Sequence, residues 1–279
     1  MSCDLFHTER VTGDTNCKGP IPSIDIDPCG PAECVSFEIM TWNLREFPLA
    51  GESTLEYVKE VLQSMEPDVV ALQEIADSCA LKNLLMDMPG WDLLFTNIEG
   101  RLDLAFLVNT QEIEAYSTPR IIVENIDPRP AVEMQIRHIS GIQAIMINVH
   151  LKCCGGQVNF HMRRSASISL KEYIDTNHPG EAVLVLGDYN DTILWGSPFD
   201  NFLVDPDNYL FADMSIQNGS PDNWSYPDWP SHLDHILISN ELFEYEKGTR
   251  VIQLDQCVGY DRYIEDITDH RPLMIVLSH

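Results

Sequence analysis

The chain has 279 residues, with 44 Asp and Glu against 17 Lys and Arg, and a formal net charge of −27. That excess opposes loose electrostatic binding to nucleic acid or to an anionic membrane, although bound cations can reverse the field locally. No apolar run approaches the roughly 18 residues of a membrane helix, and the length allows one large domain or two small ones.

Residues 1–35 are rich in Asp, Pro, Gly and Cys without periodicity, which predicts an irregular, Cys-containing extension ahead of a single domain over 36–279. Strand 37–43 comes first. Ser53-x-x-Glu56 then reads as a capping box, with Leu55, Val58, Leu62 and Met65 on one helical face and Pro67 as the stop. Strand 68–73 and a helix near Ala80–Met88 follow. Strands are expected at 93–97, 104–109, 121–123, 131–137 and 142–149, a helix over 163–174, and a long aromatic loop over 191–231. Its Trp195, Phe199, Phe202, Tyr209, Phe211, Trp224, Tyr226 and Trp229 serve either as packing or as a stacking rim, packing being the commoner use. Strands at 235–239, 250–254 and 273–277 close the chain. Without steady βαβ alternation, the pattern predicts two packed sheets covered by helices.

Eight cysteines are many for a cytosolic enzyme, and no CxxC pairs with a second one as a structural zinc site would require. Cys3, Cys17, Cys29 and Cys34 crowd the N-terminal segment; Cys79, Cys153, Cys154 and Cys257 lie beyond it. Cys79 follows Glu74 and Cys153 follows His150, so a bridge from Cys79 to Cys153 or Cys154 is expected. No apolar signal segment opens the chain; the cysteine pattern suggests a secreted protein whose signal has been removed.

The chemistry-bearing residues sit at strand ends. Leu184–Gly187 delivers Asp188 and, two residues on, Asn190. Other apolar runs end in Asn43, in Gln73-Glu74 and in His150, while Asp234 and His270 come shortly before two more. The stretches WNLREF, PDVVALQE, NVHLK, GDYN, SHLDHIL and TDHRP, in this order over about 37–277, resemble the endonuclease/exonuclease/phosphatase superfamily.

The resemblance implies a four-layer α/β sandwich, two mixed sheets flanked by helices, with the site where strand ends meet. It is similar to a secreted bacterial, metal-dependent phosphodiester hydrolase. Oxygen donors from acids and amides suit Mg²⁺ or Mn²⁺, with Ca²⁺ an alternative as a structural ion. Glu74 is the leading metal ligand, with Asn43 beside it and Asp269 helping directly or through water. His270 is the expected general base, oriented by Asp234, while Asp188 orients or deprotonates water and Asn190 hydrogen-bonds the phosphate. His150 is expected to contact a phosphate oxygen or the leaving group, with Asp103 as its partner. Arg129, which precedes Pro130, and Lys152 are expected substrate contacts.

Three functions fit these residues. A secreted nuclease of DNase type, a monomer acting on DNA with RNA as a further substrate, leads. A phosphatase or phospholipid phosphodiesterase of inositol-phosphate 5-phosphatase or sphingomyelinase type would need extra basic residues, for which Lys152, Arg163 and Arg164 are the main candidates. A catalytically dead binding module would use the same fold.

Overall fold

The computed structural model describes residues 35–96, 103–123, 126 and 129–279. The irregular extension expected over 1–35 therefore falls almost wholly outside the described residues. Thirteen strands are described: β1 Phe37–Phe47, β2 Val69–Ile75, β3 Trp91–Thr96, β4 Asp103–Asn109, β5 Ile113–Tyr116, β6 Arg120–Ile122, β7 Ala131–His138, β8 Gln143–His150, β9 Val183–Asp188, β10 Tyr209–Phe211, β11 Asp234–Ser239, β12 Glu246–Val251 and β13 Leu273–Leu277. They build one sheet in the order β12-β13-β1-β2-β4-β3 and a second in the order β10-β11-β9-β8-β7-β5, with β6 paired to β7. Both sheets are mixed. β1 runs parallel to β2 and β8 parallel to β9, and the remaining pairs are antiparallel.

Alternation along the strands divides the apolar residues among three cores. Phe37, Ile39, Val69 and Ala71 face Val132, Met134, Leu184 and Leu186 between the sheets. Met40, Trp42, Val70 and Leu72 point outward beneath helices α1 (Glu52–Met65) and α2 (Ser78–Met86). On the far side, Ile145, Ile147, Val183 and Val185 pack beneath α3 (Gln157–Asn177), whose buried stripe is Arg163, Ala166, Ser167, Leu170 and Ile174. This is the expected four-layer sandwich, because strands with two apolar faces must be covered on both.

Local details differ. The capping box at Ser53–Glu56 does not form: the α1 N-cap is Gly51 without a side-chain cap, and Thr54 Oγ1 takes the Ala50 N–H at 2.8 Å. α3 starts six residues before the expected 163, directly after Gly155-Gly156. The last edge strand lies at 246–251 rather than 250–254. Of the 191–231 aromatics, Phe199, Phe202, Tyr209 and Phe211 are buried as packing, whereas Trp195 and Trp229 are 74% and 78% exposed.

Candidate active site

Register places the site. His150 at the end of β8 pairs with Asp188 at the end of β9, and Asp188 pairs with Asp234 at the start of β11. Three functional groups thus stand side by side on adjacent strands. In the other sheet Asn43 pairs with Gln73, one residue before Glu74. Asn148 of β8 ties the sheets together behind them: its amide donates to Leu72 O and Ala105 O and accepts from Gln73 Nε2 at 2.9 Å. Gly187 is required at its position. It has φ +145°, and a Cβ there would lie 2.0 Å from the Val149 carbonyl oxygen.

Asp188 is the hub. Its Oδ2 accepts from Asn43 Nδ2 at 3.0 Å and lies 3.5 Å from His150 Nε2 and 3.8 Å from His270 Nε2. Its Oδ1 accepts the Asn190 backbone N–H at 2.9 Å. Burial raises the Asp188 carboxyl to about 7, against the opposing pull of the His270 charge. His270 Nδ1 donates to Asp234 Oδ2 at 2.7 Å. Burial disfavours the His270 cation, but Asp234 and Asp188 outweigh it and lift its pKa to about 10. The opposite holds for His150: burial first, then the charges of Arg129 and His270, push its pKa well below the ordinary value, so it is a neutral imidazole.

Glu74, at φ +63°, brings Oε1 to 3.4 Å from the Asn43 amide and 3.6 Å from His150 Nε2. Because His150 is neutral, it does not compensate the carboxylate, and a hard divalent cation suits the Glu74 oxygens, while Asn43 Oδ1 accepts the Arg45 N–H at 2.9 Å. Asp269 lies 3.4 Å from Tyr226 Oη and 3.7 Å from Arg45 Nη1. The ligand atoms of Asp188, Asp234 and His270 also lie within 4.8 Å of one another.

The expectations for Asp103, Arg163 and Cys79 need correction, while Asn190 and Lys152 are found in local contacts. Asp103 opens β4 opposite Ile75 and does not orient His150, whose Nδ1 has no hydrogen-bond partner among the described residues. Asn190, at φ +56°, turns its side-chain amide onto Leu151 O at 3.2 Å. Lys152 Nζ lies 3.8 Å from Cys153 Sγ. Arg163 is internal: it pairs with Asp191 at 2.7 Å and holds the Lys152 and Cys154 carbonyls, so it is not an open phosphate contact. Cys79 is disulfide-bonded, but not to Cys153 or Cys154, which are both free thiols.

The sequence also concealed a supporting network. Buried Asp213 Oδ2 accepts from His232 Nε2 at 2.9 Å and His235 Nδ1 at 2.6 Å. His235 Nε2 lies 2.9 Å from Asp191 O. Both partners of His235 are acceptors, so both its nitrogens carry protons and it is a buried imidazolium. His232 accepts the Ser225 N–H on Nδ1 and is neutral. Asp213 thereby fixes the strand carrying Asp234, and His235 fixes the peptide after Asn190. Ser225 Oγ takes the Leu233 and Asp234 N–H groups, and the Tyr226 ring meets His270 edge-on at 5.0 Å. Asp213, Ser225 and Tyr226 come from 191–231, where no periodic signal marks them.

A sandwich whose two sheets meet at a carboxylate–histidine site of this kind is the arrangement of a phosphoesterase. The chain belongs to the Endonuclease/Exonuclease/phosphatase family, whose model matches residues 40–270. No curated protein sequence matches it. Among solved structures it is similar to D. rerio TDP2 complexed with single strand DNA product, at TM-score 0.68 and 15% identity over 86% of this chain and 98% of that one. It is likewise similar to the human Nocturnin catalytic domain with bound sulfate, at 0.62 and 18% over 88% and 97%. An endonuclease/exonuclease/phosphatase family protein from Bacteroides thetaiotaomicron aligns at 0.63 and 16% over 88% and 98%.

Proposed function

We propose that this protein is a divalent-metal-dependent phosphodiesterase that cleaves nucleic acid, with DNA as its main substrate and an endonucleolytic mode. The observation that carries the reading is the convergence of Asp188, His270 and Asp234 with Glu74 and Asn43 at the meeting of the two sheets. Glu74, Asn43 and Asp269 would hold Mg²⁺ or Mn²⁺, which when bound supplies positive charge to the phosphoryl oxygens. Asp188 accepts the proton of the attacking water, for its carboxyl is balanced near neutrality. From sequence His270 is the expected general base, but Asp234 and Asp188 keep it protonated at neutral pH, so it instead stabilises charge on the phosphoryl group. Neutral His150 contacts a phosphate oxygen, and the Arg129 charge that reaches it adds attraction for the substrate.

Two exposed tryptophans close in sequence to site residues favour a polymeric, base-bearing substrate. Trp195 lies four residues after Asp191 and Trp229 five before Asp234, and bases stack on such rings. The internal role of Arg163 weighs against headgroups bearing several phosphates, which need more basic side chains. The Cys79 disulfide supports an extracellular location, and a monomer suffices for the site because every residue invoked comes from one chain.

The test is incubation with supercoiled plasmid in Mg²⁺ and in EDTA, beside His270→Ala. Nicking that requires metal and is lost in the variant is expected. Intact plasmid in Mg²⁺ and Mn²⁺, together with turnover of phosphoinositide or sphingomyelin, would transfer the same chemistry to the phosphatase or phospholipid reading.

A further inference from the structure

Cys153 and Cys154 are consecutive free thiols in the loop that leaves β8 just after His150. Their sulfurs lie 2.9 Å apart, closer than a van der Waals contact between sulfur atoms, with Cys154 S–H directed at Cys153. A disulfide bond is about 2.05 Å long, so closure needs an approach of less than about 1 Å.

The loop is held ready for that closure. Arg163 Nη1 donates to the carbonyls on both sides of the pair, Lys152 O at 2.7 Å and Cys154 O at 3.0 Å. The guanidinium is itself buried and fixed by Asp191. Cys154 sits at φ +75°, a conformation that a non-glycine residue keeps only when its surroundings impose it. Lys152 Nζ lies 3.8 Å from Cys153 Sγ, and Cys154 is exposed to solvent.

We propose that Cys153 and Cys154 are a site of reversible oxidation, closing to a vicinal disulfide by exchange with a small disulfide of the glutathione class. One thiolate attacks a sulfur of the oxidant, forming a mixed disulfide and expelling one small thiol. The neighbouring protein thiol gives up its proton and attacks the protein-side sulfur, forming the Cys153–Cys154 bond and expelling the second small thiol. Two protein thiols are oxidised, one disulfide is reduced to two thiols, and the two protons end on the released thiols. Consecutive Cα atoms stand about 3.8 Å apart, below the usual disulfide range of roughly 4.4–6.8 Å. The ring is therefore strained and easily reduced, which makes the pair a reversible couple rather than a structural staple.

The test equilibrates the folded full-length protein with oxidised and then reduced glutathione, blocks thiols with N-ethylmaleimide, and maps the tryptic fragment 153–163 by mass. With oxidised glutathione the fragment is expected to lack both maleimide groups and to be lighter by two hydrogens. With reduced glutathione it is expected to regain two maleimides. Cys153→Ser and Cys154→Ser each leave one thiol with no partner, and each is expected to end as a glutathione adduct. A wild-type fragment that stays doubly alkylated, that accumulates glutathione adducts, or that cross-links to a different cysteine overturns the proposal. None of these readouts depends on the hydrolytic activity.

Discussion

His270 Nδ1 lies 2.7 Å from Asp234 Oδ2, joining the segment ahead of β13 to the first residue of β11 across 36 positions of sequence. The bond fixes which ring nitrogen faces Asp188. Asp234→Asn removes the charge that holds the imidazolium but keeps the shape. Phosphodiester hydrolysis is expected to fall on the order of 10²–10⁴-fold, with an unchanged far-ultraviolet circular dichroism spectrum. Activity within a few-fold of wild type would remove Asp234 from the mechanism.

The acid–base pair sets a pH profile. Asp188 must lose its proton to act as a base, so kcat/KM is expected to rise as pH passes about 7. It should fall again near about 10, where His270 loses the proton that stabilises the phosphoryl charge. The raised carboxyl also carries a stability cost. A folded pKa above the ordinary 3.8 means stability is lost as pH rises from there through about 7. Asp188→Asn is therefore expected to abolish turnover and raise stability by about 0.5–2 kcal/mol at pH 8, read by urea denaturation.

Metal binding is measurable without turnover. A cation bound at 100 times its dissociation constant stabilises the folded state by about 2.7 kcal/mol, so Mg²⁺ or Mn²⁺ is expected to raise Tm by several degrees. EDTA should reverse the shift and Glu74→Gln should abolish it. Equal shifts in wild type and Glu74→Gln would place the ion elsewhere.

The Asp213–His235 pair is buried, so removing one partner leaves an uncompensated charge. His235→Leu is expected to cost about 3–5 kcal/mol of stability in chemical denaturation. The pH window has two edges. Burial would raise Asp213, but His235 and the imidazole hydrogen bonds hold it well below the carboxylate range, so its contribution is lost as pH falls through that depressed value. Burial would lower His235, but Asp213 raises it, so its contribution is lost as pH rises through the raised value. A substitution costing under about 1 kcal/mol would show that the histidine is not charged.

Trp195 and Trp229 separate nucleic acid from small substrates. Replacing either with Ala is expected to weaken single-stranded DNA binding by about 1–3 kcal/mol while leaving hydrolysis of a small phosphodiester within two-fold. Equal losses on both substrates would assign the rings to packing.

The strand ends were legible because a buried strand is a run of apolar residues, and any polar group at its end stands out. Asn43, Glu74, His150, Asp188, Asp234 and His270 were singled out this way, and the layered fold followed from the same runs. Asp103 was misassigned to His150 because adjacency along strands does not specify which face a side chain takes. The bridge expected from Cys79 failed for a related reason: sequence places two loops at one rim but gives neither distance nor direction. The supporting residues Asp213, Ser225 and Tyr226 lie in a loop-rich segment, where spacing carries no period to read.

The sequence alone determined the alternation of apolar faces, hence two covered sheets, and the identity of the polar groups at their ends. Only the tertiary structure decided how those groups are ionised. Asp188, His150 and His270 have ordinary intrinsic acidities. They diverge because burial penalises charge while neighbours brought from distant strands either compensate it, as Asp234 does for His270, or oppose it, as Arg129 and His270 do for His150. Those distances of a few ångströms exist only after folding, and electrostatic energy in a poorly solvated interior depends steeply on them.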